Sequence, residues 1–350
     1  MEFEDSQAMT AAFQLPDDSL VYDVQVSAGG DTDRVQVRRL WGTGPRPQEV
    51  AGEGWKLRVY RPPGPAASSA AIMLVPGTTG PGTLSGVAAL LASHGYVAPV
   101  LIYLGEPGMA ASLRQLPVEI FHGALRKLGA LAGVDAGRLA IYAVSVGVIG
   151  VAYAFSVPEA PPVRSLVLVA GSSVVWQALA EGRPPKESAI SYAGTMLPYV
   201  PIKAETLLGQ VIRNAIAGKL SRRPRSRPLT LLPAYASGFA DRAAVAAAAI
   251  PVEHIDCPIL TISGGEDAMW PATQMARELH QRRREHGRAS DDLMLDFPEA
   301  GHFFRPPATP TTINHNDSLV VGGVAAGWAR AQREAWTGTL AFLAATLDSA

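Results

Sequence analysis

Three side chains of this sequence could together turn an alcohol into a nucleophile: Ser145, Asp267 and His302. A serine hydroxyl attacks a carbonyl efficiently only when an imidazole takes its proton. The imidazole in turn needs a carboxylate to fix its tautomer and stabilise its charged form. Each residue also has a bland reading: a serine in a buried turn, a helix-capping aspartate before Trp270-Pro271, and one of seven histidines. What raises them above those readings is that each falls at the end of a predicted strand, in the chain order serine, acid, histidine. Glu266, Asp291 and Asp292 are competing acids. His94 and His254 are weaker bases, because neither follows the last predicted strand.

The elements that must position them begin with Arg138–Phe155, RLAIYAVSVGVIGVAYAF. Leu139–Val144 is apolar and β-branched enough for a strand buried on both faces, and Val148–Phe155 reads as a buried helix. Ser145 stands at the turn between them, flanked by Ala143 and Gly147. Small residues two before and two after a serine let backbone and helix approach closely, as in the nucleophile elbow of α/β-hydrolases, although Ala143 replaces the first glycine of G-x-S-x-G. The following helix would aim its amides at an oxyanion.

Other strands set the same rhythm. Ala70–Val75 runs into Pro76-Gly77-Thr78-Thr79-Gly80-Pro81-Gly82. That loop lacks the lysine and spacing of a phosphate cradle, so it is read as the donor of the second oxyanion amide. Val146, Gly77, Thr78 and Thr79 are therefore the candidate oxyanion residues. A helix over Leu84–His94 stops at Gly95, then come a strand over Tyr96–Leu104 and a helical pattern over Leu116–Ala132. Ser165–Ala170, Pro258–Ser263 and Leu293–Phe297 supply later strands, and Val324–Leu347 a closing helix with Trp328 and Trp336 packed on the sheet. The sum is an α/β fold of the α/β-hydrolase class, a mostly parallel sheet covered by helices on both faces. Tyr103, Trp270 and Phe303 are the candidate substrate-binding residues.

The chain divides into a short, truncated β-rich N-terminal arm (1–55), a hydrolase core (56–173 and 249–350) and a mostly helical lid insertion (174–248). The lid carries a basic run, Ser221-Arg222-Arg223-Pro224-Arg225-Ser226-Arg227, read as a solvated loop that near a pocket mouth would meet coenzyme phosphates. Of 350 residues, 48% are hydrophobic and 17% charged, enough apolar surface for a large core. The formal net charge of -1 gives no reason to expect a nucleic acid or an anionic membrane as partner. One cysteine, Cys257, excludes an internal disulfide and argues against a cysteine-based metal site, and no metal or redox cofactor is expected. The acidic start MEFEDSQ is unlike a secretory signal, and a cytoplasmic location is expected.

Several segments are more specific than the elbow. They include Ser93–Tyr96 (SHGY), Tyr103–Gly108 (YLGEPG) followed by Leu116–Phe121 (LPVEIF), and Val134-Asp135. Further on stand Ile250–Glu253, Cys257–Leu260, Asp267-x-x-Trp270, Ala300-Gly301-His302 with Pro306-Pro307, and Gly322-Gly323 through Ala329–Gln332. From about Val37 to the end the chain thus resembles the acyl-CoA thioesterases and bile acid-CoA:amino acid N-acyltransferases, in their C-terminal α/β-hydrolase domain. The resemblance implies a nucleophile at Ser145, an acid at Asp267 and a base at His302. It also implies a small-molecule acyl thioester as substrate, on coenzyme A or an acyl carrier. The expected activity is thioester hydrolysis through an acyl-enzyme. The alternatives are an acyltransferase that passes the acyl group to an amine or alcohol, a carboxylesterase or dienelactone-type hydrolase, and a non-catalytic scaffold. The elbow departs from the family pattern in lacking the basic residue after the nucleophile and the Ala-Glu that follows, and the lid looks longer than usual.

Overall fold

The computed structural model of the chain describes residues 21–28, 31–38, 47–64, 68–179, 185–220, 228–288, 290–307, 309, 311 and 319–348. The first strands, β1 (Val21–Ala28) and β2 (Asp31–Arg38), pair antiparallel as a separate two-stranded sheet. Next come β3 (Gln48–Gly52), β4 (Trp55–Tyr60), β5 (Ser69–Val75), β6 (Ala98–Ile102) and the two-residue β7 (Leu116–Pro117). These are followed by β8 (Val134–Val144), β9 (Ser165–Val169), β10 (Ile190–Tyr192), β11 (Thr195–Met196), β12 (Ile259–Gly264) and β13 (Leu293–Phe297).

Eight of them form the central sheet, in the order β13-β12-β9-β8-β5-β6-β4-β3. All its pairings are parallel except β4 with β6 and β3 with β4 at one edge. With helices on both faces this is an α/β-hydrolase fold, and the ends of β8, β12 and β13 open on the same side of the sheet, where open α/β sheets build their sites. The arm drawn at residues 1–55 needs correcting at its end: Gln48–Gly52 is the edge strand of the central sheet. Residues 1–20 lie outside the described residues.

Strand β8 shows why the sheet is buried on both faces. Leu139, Ile141 and Ala143 point into one apolar layer, and Ala140 and Tyr142 into the other. The first layer is covered by the helices Glu119–Gly129 and Val146–Ala154, the second by Ser85–Ser93 and Ala325–Leu347. The helix Ser85–Ser93 ends as the sequence indicates, with Gly95 at φ 94 just past its last turn. Leu116–Ala132 does not begin as a helix. Leu116 and Val118 donate their N–H groups to Ala189 and Ser191 of the insertion, so helical geometry starts only at Glu119.

The insertion is not cleanly separate from the core. Val174, Val175 and Trp176 are each 1% exposed within the main apolar layer. Its first half is held by short bridges and a small sheet, β11-β10-β7. Among the described residues its helices lie in the second half, over Leu208–Leu220, Leu232–Phe239 and Arg242–Ala247. The run Ser221–Arg227 lies outside the described residues. In the closing helix, Trp328 packs beneath the histidine loop with Ala300, Val321 and Ala331, whereas Trp336 packs on the sheet-facing layer.

Candidate active site

Ser145 follows the last residue of β8 at φ 56, ψ −128, a left-handed backbone that a serine adopts only when its surroundings enforce it. Three contacts do so. Its N–H donates to Val169 O of the neighbouring strand (2.8 Å), and its carbonyl accepts from Val148 N at the start of the next helix (3.0 Å). The third is the packing of two glycines. A Cβ on Gly77 would lie 2.9 Å from Ser145 Cβ, and one on Gly147 would lie 2.6 Å from Pro76 O. The helix begins at Val146, two residues earlier than the apolar run implies, so the first amide after Ser145 belongs to its first turn.

Asp267 and His302 come from the loops after β12 and β13, which stack backbone on backbone. A Cβ on Gly264 would lie 2.4 Å from the carbonyls of Ala300 and Gly301. A third segment ties them together: His302 N–H donates to Val321 O (2.8 Å), and Asp267 bridges antiparallel to Gly322. Gly322, at φ 79, sits where any Cβ would strike Glu266 O. Only glycine fits there.

The three side chains meet. His302 Nδ1 lies 2.7 Å from Asp267 Oδ2, and His302 Nε2 lies 2.9 Å from Ser145 Oγ. The other carboxylate oxygen, Oδ1, accepts the N–H groups of Met269 (2.7 Å) and Trp270 (3.2 Å), which leaves Oδ2 for the imidazole. A carboxylate that accepts at Nδ1 makes Nδ1–H the donor and frees Nε2 to accept the hydroxyl proton. All three are buried, Ser145 at 9%, Asp267 at 4% and His302 at 2% exposure, so these hydrogen bonds compete little with water.

The rival acids and bases lie elsewhere. Glu266 and Asp291 are exposed, and Asp292 is buried against Arg283 (2.6 Å). His94 caps a helix beside Trp336, and His254 is exposed in a short turn. Among the oxyanion candidates, Gly77 is buried against the serine and Val146 is 7% exposed at the helix start. Thr78 and Thr79 are exposed in the turn closed by Gly80 N to Gly77 O (3.3 Å).

Of the three substrate-binding candidates, Phe303 is half-buried with its ring 5.5 Å from that of His302. Trp270 stands edge-on to His302 (5.7 Å, 73°) and donates its indole N–H to Ala170 O (3.0 Å). Tyr103 is buried behind the loop that follows β5, where its hydroxyl donates to Pro76 O (2.7 Å). Burial raises the Tyr103 pKa, so the phenol stays a donor. An aromatic series then leads into the insertion, Trp270 to Tyr235 (5.6 Å) to Trp176 (4.8 Å). Tyr235, Val321 and the Met269 amide are parts of the site that strand-end reasoning did not single out. The only sequence signals for them were the Gly322-Gly323 pair beside Val321 and the Asp267-x-x-Trp270 spacing.

Comparison with known proteins agrees with the resemblance. Residues 236–349 match the family model "BAAT / Acyl-CoA thioester hydrolase C terminal", a stretch that holds both Asp267 and His302. The mouse mitochondrial acyl-coenzyme A thioesterase 2 is 25% identical over 308 residues, 86% of this chain and 60% of that protein. Mouse acyl-coenzyme A thioesterase 3 is 35% identical over 104 residues, 28% of this chain and 24% of that protein. The chain thus spans about 60% of the length of the first of these relatives and about a quarter of the second. A solved structure described as DcsB in complex with its substrate analogue superposes with TM-score 0.50 at 14% identity, covering 94% of this chain and 100% of that one, a likeness of fold. The similarity to the acyl-CoA thioesterase and bile acid-CoA:amino acid N-acyltransferase family is therefore real, and its matched model covers the C-terminal part of the hydrolase domain.

Proposed function

We propose that this protein is a serine-dependent thioester hydrolase acting on an acyl group carried by coenzyme A or an acyl carrier. The observation that carries the reading is the continuous hydrogen-bonded line Ser145 Oγ, His302 Nε2, His302 Nδ1, Asp267 Oδ2, at 2.9 and 2.7 Å. Ser145 Oγ attacks the thioester carbonyl while His302 Nε2 takes the hydroxyl proton. Asp267 holds the imidazole in the required tautomer and stabilises the imidazolium.

The tetrahedral oxyanion is received by the backbone amides of Val146 and of the Gly77–Thr79 loop, each worth about 3 to 4 kcal/mol in the transition state. Collapse of the intermediate expels the thiol, which takes the proton from His302, and leaves Ser145 acylated. A water then attacks the ester, giving its proton to His302, and the acid departs with Ser145 regenerated. The family likeness supports a thioester rather than an ester as substrate. The absence of a basic residue and a glutamate after the elbow distinguishes this elbow from the family pattern; Val146, Val148 and Ile149 make it apolar.

The test is covalent. A fluorophosphonate should add to the intact protein and fail to add to Ser145→Ala, and a panel of acyl-CoA thioesters should be hydrolysed by the first and not the second. Equal labelling or turnover in the variant would overturn the assignment of Ser145.

A further inference from the structure

Trp270 stands in the sequence as a substrate-binding candidate, yet it is 2% exposed and offers almost no surface to a substrate. Its polar groups and its ring are engaged with the triad instead. The backbone N–H donates to Asp267 Oδ1 (3.2 Å), the carboxylate oxygen that does not meet the imidazole. The indole stands edge-on to the His302 ring, with centroids 5.7 Å apart at 73°. Its N–H donates to Ala170 O (3.0 Å), one residue past Val169, whose carbonyl takes the Ser145 N–H (2.8 Å). One residue thus touches the acid, the base and the strand end that holds the backbone of the nucleophile.

The indole is itself held fixed. Trp270 O accepts Ala272 N–H (2.8 Å) where the helix Ala272–Glu285 begins. Ala170 presents its carbonyl from a left-handed backbone at φ 45, and its own N–H is fixed on Ile262 O (2.7 Å). Tyr235 of the insertion packs edge to face on the indole (5.6 Å, 89°). Such a ring cannot turn without breaking a buried hydrogen bond. Its effect is greatest after the first chemical step. Before attack, the imidazole is anchored at both nitrogens, by Asp267 Oδ2 (2.7 Å) and by Ser145 Oγ (2.9 Å). Once Oγ is esterified it has no proton to give, and Nε2 loses the bond that aimed it. The imidazole can then swing about its remaining bond, to Asp267, unless the rings beside it prevent this. Phe303, 5.5 Å away, follows His302 in the chain and is half-buried; Trp270 is anchored on another strand.

We infer that Trp270 is a positioning residue for the second half of the reaction, holding the His302 imidazole in place while Ser145 is acylated so that Nε2 still faces the incoming water. In that step the water oxygen bonds to the acyl carbon and its proton passes to Nε2. The bond from that carbon to Oγ then breaks, and Oγ takes the proton back from the imidazolium. The inference rests on the serine-hydrolase reading of Ser145, and it holds whether the natural leaving thiol is a coenzyme or a carrier.

The experiment separates the two half-reactions in the full chain. Attack is read as the rate of covalent labelling by a fluorophosphonate. Deacylation is read with p-nitrophenyl acetate, as the rate at which the acetylated protein returns to its free intact mass once excess ester is removed. In Trp270→Leu, deacylation should slow about a hundredfold while labelling slows far less. Steady-state kcat and KM should fall together, because the acetyl-enzyme accumulates. Trp270→Phe keeps a ring against the imidazole and loses the indole bond, so it should recover most of the deacylation rate. Where the leucine variant lacks the circular dichroism spectrum of the parent, Trp270→Phe carries the test alone, and its deacylation must still be slower than the parent's. Equal acetyl loss in the parent and the folded variants overturns the inference. So does a raised KM with no accumulated acetyl-enzyme, which would return Trp270 to the substrate. A parent that neither labels nor acetylates overturns the serine-hydrolase reading itself, and this inference with it.

Discussion

At the scale of single residues, Asp267 has one acceptor oxygen committed to backbone amides and one to His302. Asp267→Asn keeps the shape but can present an N–H to Nδ1, which flips the imidazole to the tautomer that cannot accept the serine proton. Turnover should fall on the order of 10⁴-fold with little change in KM, measured by steady-state kinetics on an acyl-CoA. Glu266→Gln, one position away and exposed, should leave turnover unchanged; a comparable loss there would move the acid to Glu266. Cys257 gives a second, independent reading of burial. Its thiol is pushed up to about 12 by burial, with the Arg283 charge opposing. Because a raised pKa favours the neutral thiol at every pH below it, the folded protein at pH 8 should not react with a disulfide reagent, and reaction should appear only with denaturant. Prompt labelling of the native protein would contradict the packing around Cys257.

At the scale of elements, the site depends on how closely the β5 loop and the elbow approach. Gly77→Ala puts a methyl 2.9 Å from Ser145 Cβ and 3.2 Å from Val144 O, so the loop or the elbow must move. Since the contacts involve Ser145 and its strand, kcat should drop at least tenfold in steady-state assays while the unfolding free energy from urea titration falls by about 1 to 3 kcal/mol. Tyr103 acts on the same loop from behind. Removing its hydroxyl in Tyr103→Phe orphans a buried carbonyl at Pro76, a loss of about 1 to 3 kcal/mol in urea unfolding. Because the peptide bond that carries the Pro76 carbonyl also carries the Gly77 amide, kcat should fall with it and the pH profile should keep its shape. A neutral effect on both would make Tyr103 a packing residue only.

At the scale of the whole molecule, one buried cation holds the acid half of the sheet together. Arg283, 1% exposed, donates to Asp292, to the carbonyls of Val252, Ile255 and Cys257, and to that of Arg288. Asp292 also accepts Ile259 N–H, where β12 begins. These bonds join the helix Ala272–Glu285, the chain that enters β12 and the turn before β13. Arg283→Met leaves the Asp292 charge buried without its cation and should cost about 3 to 5 kcal/mol of unfolding free energy, read from urea titration. A loss under about 1 kcal/mol would show that water replaces the guanidinium.

The sequence by itself determined the strand rhythm, the elbow at Ser145 and the order of serine, acid and histidine. Those signals are local: β-branched runs, a helix stop at Gly95, and small residues around a turn. It did not reach the edge strand Gln48–Gly52, whose exposed residues carry no apolar period and whose pairing with β4 rests on the backbone ladder and on Glu49 ion pairs to Lys56 and Arg58. Nor did it reach the start of the helix at Glu119, because the amides of Leu116 and Val118 are claimed by residues more than seventy positions away. Only the tertiary structure decided that Val321 and Gly322 lace the Asp267 and His302 loops together, that Tyr103 faces the Gly77–Thr79 loop from behind, and that the helix Leu208–Leu220 turns its aliphatic side outward. Each of these is a contact between segments distant in the chain, and the free energy of such contacts depends on which surfaces the fold has already brought within reach.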